Sequence, residues 1–297
     1  MNESGRAASR TAVLVCQGRA AADGTAAVGR FADPVAVRLL RDAERVPVDE
    51  VRAGTPPKDW RARMTYESVR ACVEVAVPRT LAIDDALRSG TTGQLVILGA
   101  GLDTRAWRLP DLAGTDVWEV DHPASQQDKR DRLAEAAAIA ELPSAARSVR
   151  FTPVDFAVDD LGAALDAAGH APSEPTTWLW EGVIPYLTRA EVRATLATLA
   201  GRTAPGSTLV VNYQTPSAKA SVGRLLTRLL GSSVTSGEPW RSLWKPGQLA
   251  ALFAEHGWSV VSDDSLLSLA DSLGSPARGR ASLRSGRVAV AKAAPRT

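Results

Sequence analysis

The chain has 297 residues, 45% hydrophobic and 23% charged, with a formal net charge of +2. That length suits one large domain, the balance is ordinary for a globular protein, and the near-neutral charge argues against nucleic acid as a partner. Two distant cysteines (Cys16, Cys72) and three scattered histidines (His122, His170, His256) exclude a disulfide framework and lack metal-ligand spacing, so no metal is expected.

Residues 1–10 (MNESGRAASR) are small and polar and are expected to form a disordered tail, with a single domain over residues 11–297. Ala12 to Cys16 is too short for a secretory core, and no apolar run approaches the roughly 20 residues that cross a bilayer. A cytoplasmic location with no membrane contact is therefore expected, with reduced cysteines. From Thr11 to Leu87 the pattern is helical. Asp33-Pro34 suits an N-cap followed by proline at the first helical position, opening Val35 to Leu40. Val46 to Pro57 has the chemistry of a loop. Trp60 to Leu87 repeats apolar residues at helical spacing, with Pro78 marking a break. Because residues 11–90 precede the first strand, they are expected to form a helical lid over the strand ends.

Residues 94–213 alternate strand and helix. Leu95 to Leu98 is a short apolar run, suited to a strand buried on both faces. Gly99-Ala100-Gly101 follows, then the polar turn Asp103-Thr104-Arg105 and a second strand, Asp116 to Val120, ending in Asp121. Ala124 to Ala140 is the next helix, with Lys129, Arg130 and Arg132 expected on a solvated face. Arg150 to Val154 reads as a third strand, ending at Asp155-Phe156. Leu161 to Ala168 is a short helix and Thr176 to Trp180 a fourth strand, ending at Glu181. Val192 to Leu199 is a helix, and Ser207 to Tyr213 the fifth strand.

The alternation stops at residues 214–247, expected to be a cap insertion with an amphipathic helix over Ser221 to Leu230. Its charges are Lys219, Arg224, Arg228, Arg241 and Lys245 against Glu238. Residues 248–297 supply a helix (Gln248 to His256) and two strands (Trp258 to Ser262, Arg287 to Lys292) that complete the sheet. The fold class expected is α/β, a doubly wound, mostly parallel seven-stranded sheet.

Glycines after the first strand let the backbone approach a ligand closely, and a carboxylate ending the second strand can hold ribose hydroxyls. A dinucleotide fingerprint has a third glycine, where this chain has Thr104 with Asp103 beside it. A carboxylate there disfavours a pyrophosphate and suits a cationic or hydroxyl-bearing nucleoside ligand. Polar residues recur at successive strand ends: Gly99 and Gly101, Asp121, Asp155 and Glu181. Trp107, Trp118, Trp178 and Trp180 read as packing residues, and His256 as a helix C-cap.

VILGAGLDTRAWRL (Val96 to Leu109), WEVDHP (Trp118 to Pro123), VDF (Val154 to Phe156) and WEGVIPYL (Trp180 to Leu187) are together similar to one family. PRTLAIDDAL (Pro78 to Leu87) and GEPW (Gly237 to Trp240) support the likeness. The chain resembles the leucine carboxyl methyltransferase-like (LCM, PPM or TcmP-like) S-adenosylmethionine-dependent O-methyltransferases over about Asp33 to Val261. The resemblance implies a class I methyltransferase-type sheet and S-adenosylmethionine as cofactor, released as S-adenosylhomocysteine. It implies that Gly99 and Gly101 pass under the methionine moiety, that Asp121 binds the ribose hydroxyls and that Asp155 accepts from the adenine amino group. The Phe156 N–H would meet the ring, Glu181 would face the amino group and sulfonium, and Arg79 would take the cofactor carboxylate.

The reaction so implied is in-line methyl transfer. A carboxylate acceptor, with a pKa of about 4, needs no base, whereas a phenol, at about 10, needs help from a group such as His122. Tyr186 is a second candidate on the acceptor side, for packing or for substrate contact. The expected acceptor is a carboxylate of a small molecule or secondary metabolite. A hydroxyl, a phenol and a peptide carboxylate stay open, as do a dinucleotide oxidoreductase and a non-catalytic nucleoside-binding protein. The basic insertion suits an anionic acceptor.

Overall fold

The computed structural model describes residues 9–90, 92–216, 240–274 and 281–294. The helix expected over Ser221 to Leu230, residues 237–239 of the GEPW segment and residues 1–8 of the expected tail lie outside these.

Seven strands form one sheet: β1 (Gln94–Leu98), β2 (Asp116–Asp121), β3 (Ser148–Pro153), β4 (Thr176–Trp180), β5 (Thr208–Gln214), β6 (Trp258–Ser265) and β7 (Gly286–Ala293). Their order is β3-β2-β1-β4-β5-β7-β6, with β7 antiparallel to both of its neighbours. The order reverses direction between β1 and β4, and in such open sheets ligands bind outside the carboxyl ends of the strands at that point.

Each central strand is apolar on both sides, so two cores form. Val96, Leu98, Trp118, Val120, Trp178 and Trp180 point to one face. There they meet helices α6 (Leu161–Ala167), α7 (Arg189–Gly201) and α8 (Pro246–Glu255). Leu95, Ile97, Val117 and Leu179 point to the other face, against the C-terminal half of α3 (Trp60–Ser89), α4 (Arg105–Arg108), α9 (Leu266–Ser272) and α10 (Ala281–Ser285). A third apolar cluster joins α1 (Arg10–Ala22), α2 (Asp42–Ala53) and residues such as Val69 of α3. Helix α5 (Pro123–Ile139) follows β2.

Helix α3 sets the height of the site. Its C-terminus leads into the start of β1, and the ten residues back to Arg79 rise about 15 Å. Five-residue β1 rises about 16 Å in the opposite sense. Arg79 therefore stands level with the carboxyl ends of the strands, and the helix beyond it carries α1 and α2.

Four expectations need correction. Pro78 does not break a helix: α3 is continuous from Trp60 to Ser89, because burial of Val77, Pro78, Arg79, Thr80 and Leu81 outweighs one lost backbone bond. Val46 to Pro57 is not all loop, since α2 runs to Ala53 with Pro47 inside it. Glu44 accepts the Arg41 N–H at its start (2.9 Å), Gly54 ends it at φ 65°, and Val48 is fully buried. The helix expected from Val35 is only a 3-10 turn, Ala36–Leu39, although Asp33 does cap the Ala36 N–H (3.0 Å). Finally, Lys129 and Arg132 are buried on α5, while Arg130 is exposed as expected. Arg132 pairs with Asp128 on its own helix (2.7 Å) and with Glu44 (2.6 Å), and the latter ties α5 to α2. Among the described residues no helix is long and apolar enough to cross a membrane.

Candidate active site

The turn after β1 is fixed by the neighbouring strand. Gly99 and Ala100 both donate to the Val120 carbonyl (2.7 and 3.1 Å), so the chain turns sharply at the end of β1. Gly99 (φ 66°) and Gly101 (φ 48°) take left-handed conformations that disfavour other residues. A Cβ on Gly99 would lie 2.2 Å from Val183, and one on Gly101 would lie 3.2 Å from Ala12 of α1. The turn is thus packed from above by the segment after β4 and by the first turn of α1.

Asp121 ends β2 beneath this turn. One carboxylate oxygen accepts the Gly101 N–H (2.5 Å) and the other the His122 N–H (2.7 Å). Each oxygen keeps a lone pair for a further donor. Burial raises its pKa, and the two N–H bonds work against that. The N-cap of α5 is His122, not Asp121: its Nδ1 accepts from the Ala124 N–H (3.2 Å). His122 is exposed, with Nε2 3.8 Å from Asp155. Asp155 itself accepts the Ala157 N–H (2.9 Å), and half-buried Phe156 packs on the core beside it. The ends of β2 and β3 therefore bring Asp121, His122, Asp155 and Phe156 into one neighbourhood.

The end of β4 carries a second group. Glu181 Oε1 lies 2.7 Å from Arg79 Nε, and Oε2 accepts from Arg105 NH1 at 2.8 Å. The two contacts differ in kind. Arg105 makes a formed hydrogen bond, whereas Arg79 Nε is buried with no hydrogen-bond partner, so its contact with Glu181 is close but out of line. Burial pushes the Glu181 pKa up, but Arg105 and Arg79 outweigh it and hold the carboxyl below its ordinary range. Tyr186 sits half-buried in the 3-10 turn Ile184–Tyr186, on the same post-β4 segment.

Sequence inspection did not find what lies beneath. Five cationic side chains (Arg19, Arg79, Arg105, Arg108, Lys129) face five carboxylates (Asp33, Asp84, Asp103, Glu119, Glu181), all of them largely buried. Asp103 does not present its charge outward as its position suggested: it bonds the Arg105 backbone (2.7 Å) and guanidinium. Burial raises its pKa, but Arg105, Lys129 and Arg19 bring it down to about 2. Thr104, at the missing third glycine, is buried and donates to Asp33 at 2.7 Å. The available signal was the density of charge in otherwise apolar stretches, such as RTLAIDD and LDTRAWR.

A concavity of about 700 Å³ opens at the other end of the sheet, lined by Gly93, Gln94, Asp116, Arg147, Gly169 and Gly206. Those residues start strands or precede them, so it is remote from the groups above. Among the described residues no three His, Cys, Asp or Glu side chains gather as a metal-binding group.

A family model described as leucine carboxyl methyltransferase matches residues 12–200, more than half of the chain. The chain belongs to the leucine carboxyl methyltransferase family. The matched span holds every candidate residue from Arg79 to Tyr186. A relative in Mycobacteroides abscessus, named "Putative S-adenosyl-L-methionine-dependent methyltransferase", is 39% identical over 194 residues, 63% of this chain and 61% of the relative. The chain thus spans about three fifths of the length of that curated relative. A DUF574 family protein from Streptomyces avermitilis has a TM-score of 0.56 at 14% identity, covering 96% of this chain and 98% of its own. A "putative methyltransferase" from Thermobifida fusca has a TM-score of 0.53 at 16% identity, covering 94% of each. At these identities the likeness is one of fold, and this member of the leucine carboxyl methyltransferase family has the class I methyltransferase fold.

Proposed function

We propose that this chain is an S-adenosylmethionine-dependent O-methyltransferase that esterifies a carboxylate of a small molecule. The observation that carries the cofactor is the donor set at the switch point. Asp121 offers two anchored oxygens, suited to a pair of ribose hydroxyls. Arg79 and Glu181 offer a guanidinium and a carboxylate at 2.7 Å, complementary to the two charges of an amino-acid tail. The unsatisfied Arg79 Nε marks where a ligand carboxylate would supply the missing acceptor. Gly99 and Gly101 would lie under that tail, and Asp155 and Phe156 would bracket the base.

When bound, S-adenosylmethionine supplies an electrophilic methyl group on a sulfonium sulfur. The protein's part is then to hold an acceptor in line with that methyl and to keep water out. A carboxylate acceptor is already ionised at neutral pH. The base candidate His122 has its Nδ1 lone pair engaged by the Ala124 N–H, which leaves the neutral ring with its proton on Nε2 and supports an acceptor that needs no base. Buried Thr104 at the third-glycine position argues against a dinucleotide. The unpaired cysteines, Cys16 buried and Cys72 half-buried, support a cytoplasmic assignment.

The test is transfer of isotopically labelled methyl from S-adenosylmethionine to a panel of small acids, phenols and C-terminal peptides. A labelled small-molecule product cleaved by mild alkali is expected. An alkali-stable methyl ether would replace the ester assignment with a hydroxyl acceptor, and a labelled peptide would replace the small molecule.

A further inference from the structure

We propose that Arg105 is a positioning residue: it fixes Glu181 for the ammonium end of the ligand's amino-acid tail and so leaves Arg79 free to exchange partners. This rests on the cofactor assignment above. The geometry separates the two arginines. Arg105 is held at two of its three guanidinium nitrogens, with Nε on Asp84 (2.7 Å) and Nη1 shared between Asp103 and Glu181 (2.8 Å to the latter), and its side chain is 3% exposed. Its backbone N–H is also held by Asp103 (2.7 Å). Turning towards a ligand would break these formed hydrogen bonds.

Arg79 has Glu181 as its ion-pair partner, reached out of line, and its Nε is left without an acceptor. Moving from that contact to a ligand carboxylate forfeits no formed hydrogen bond at Nε. Glu181 must then keep its carboxylate aimed although one of its two cations has gone. Among the described residues the hydrogen bond that can do that is the one from Arg105 at Oε2, which leaves Oε1 for the incoming ammonium. An amino-acid tail would therefore insert into the Arg79–Glu181 pair, while the Asp84–Arg105–Asp103 clamp stays fixed beneath it.

The test compares two ligands that differ only in the tail: S-adenosylhomocysteine, which has it, and 5′-methylthioadenosine, which lacks it. Calorimetric titration is run on the full chain, its Arg105→Lys variant and its Asp103→Asn variant, with thermal melting alongside. Lysine keeps the charge but cannot fork between Asp84, Asp103 and Glu181. Loss of one charge-assisted hydrogen bond predicts a fall in S-adenosylhomocysteine affinity of about 10-fold to 100-fold, with methylthioadenosine affinity within about 2-fold of wild type by the same arithmetic. Asp103→Asn keeps the arginine and loosens its clamp, so the same selective loss is expected on a smaller scale. A merely structural role would lower both affinities together. Proportionate loss of both ligands in either folded variant, or no loss of either, overturns the proposal. If the wild-type chain binds neither ligand, the cofactor assignment itself has failed, which is a separate result.

Discussion

His170 is 3% exposed, with Nδ1 3.3 Å from the Arg202 guanidinium and Nε2 3.0 Å from the Thr176 hydroxyl. Nδ1 can only accept from an arginine, so the neutral ring carries its proton on Nε2. Burial, and then the Arg202 charge, lower its pKa from 6.5 to about 4. Between those values the unfolded chain binds more protons than the folded one, so stability rises with pH. The contribution is complete above about pH 6.5 and is lost as pH falls towards 4, by about 3 kcal/mol. Urea unfolding from pH 7 to pH 4 should show this slope in the wild type and a flatter one in His170→Gln. Equal slopes would contradict the assignment. At this scale the sequence placed Asp121, Asp155 and Glu181 at or just beyond strand ends, and the structure has them there: Asp121 closes β2, Glu181 follows β4 directly, and Asp155 stands two residues past β3. The sequence did not show Arg105 with Glu181, which are 76 residues apart and meet only in the folded sheet.

The glycine turn is the element on which the site is built. Gly99 has φ 66°, which costs a residue with a side chain roughly 1–2 kcal/mol, and Val183 already occupies the place of its Cβ. Gly99→Ala should lower stability by more than the backbone cost alone, and Val183→Ala added to it should recover only the steric part. Denaturant midpoints of the two variants decide this, and a Gly99→Ala chain as stable as wild type would contradict it. Strand β4 was legible to the residue, since five apolar or β-branched residues stand between a proline and a glutamate. Helix α2 was not, because Pro47 and six charged residues hide a helix that needs only Val48 and its flanks for docking. The break at Pro78 was misplaced because packing along α3 outweighs the local rule. Lys129 and Arg132 look like a solvated face until their partners on β2, α2 and the turn after β1 are known.

Across the whole molecule, the N-terminal helices are joined to the turn and helix α4 that follow β1 by buried polar contacts as well as by apolar packing. Asp84 on α3 accepts from Arg105 (2.7 Å) and from two nitrogens of Arg108 (2.7 and 3.0 Å). Arg19 on α1 reaches the Leu102 carbonyl (2.6 Å) and Asp33 (2.8 Å). Removing one partner from a buried cluster strands its opposite charge, at a cost of about 3–5 kcal/mol. Asp84→Ala should therefore lose about that much stability in urea. A loss under about 1 kcal/mol, the range of a surface pair, would mean that these charges are better solvated than their burial indicates. The seven-stranded architecture was foreseeable from the strand–helix alternation. The charge network was not, because pairing depends on which helices cover which strand ends.

The central claim is that the end of β2, beneath the glycine turn, binds the nucleoside of S-adenosylmethionine. The most direct measurement is calorimetric titration of the chain with S-adenosylhomocysteine, beside Asp121→Ala and with NAD as the control ligand. The account predicts micromolar binding to the wild type, a loss of at least about 10-fold in the variant from the missing charge-assisted bonds, and no comparable binding of NAD. Binding indifferent to Asp121, or a preference for NAD, would contradict it.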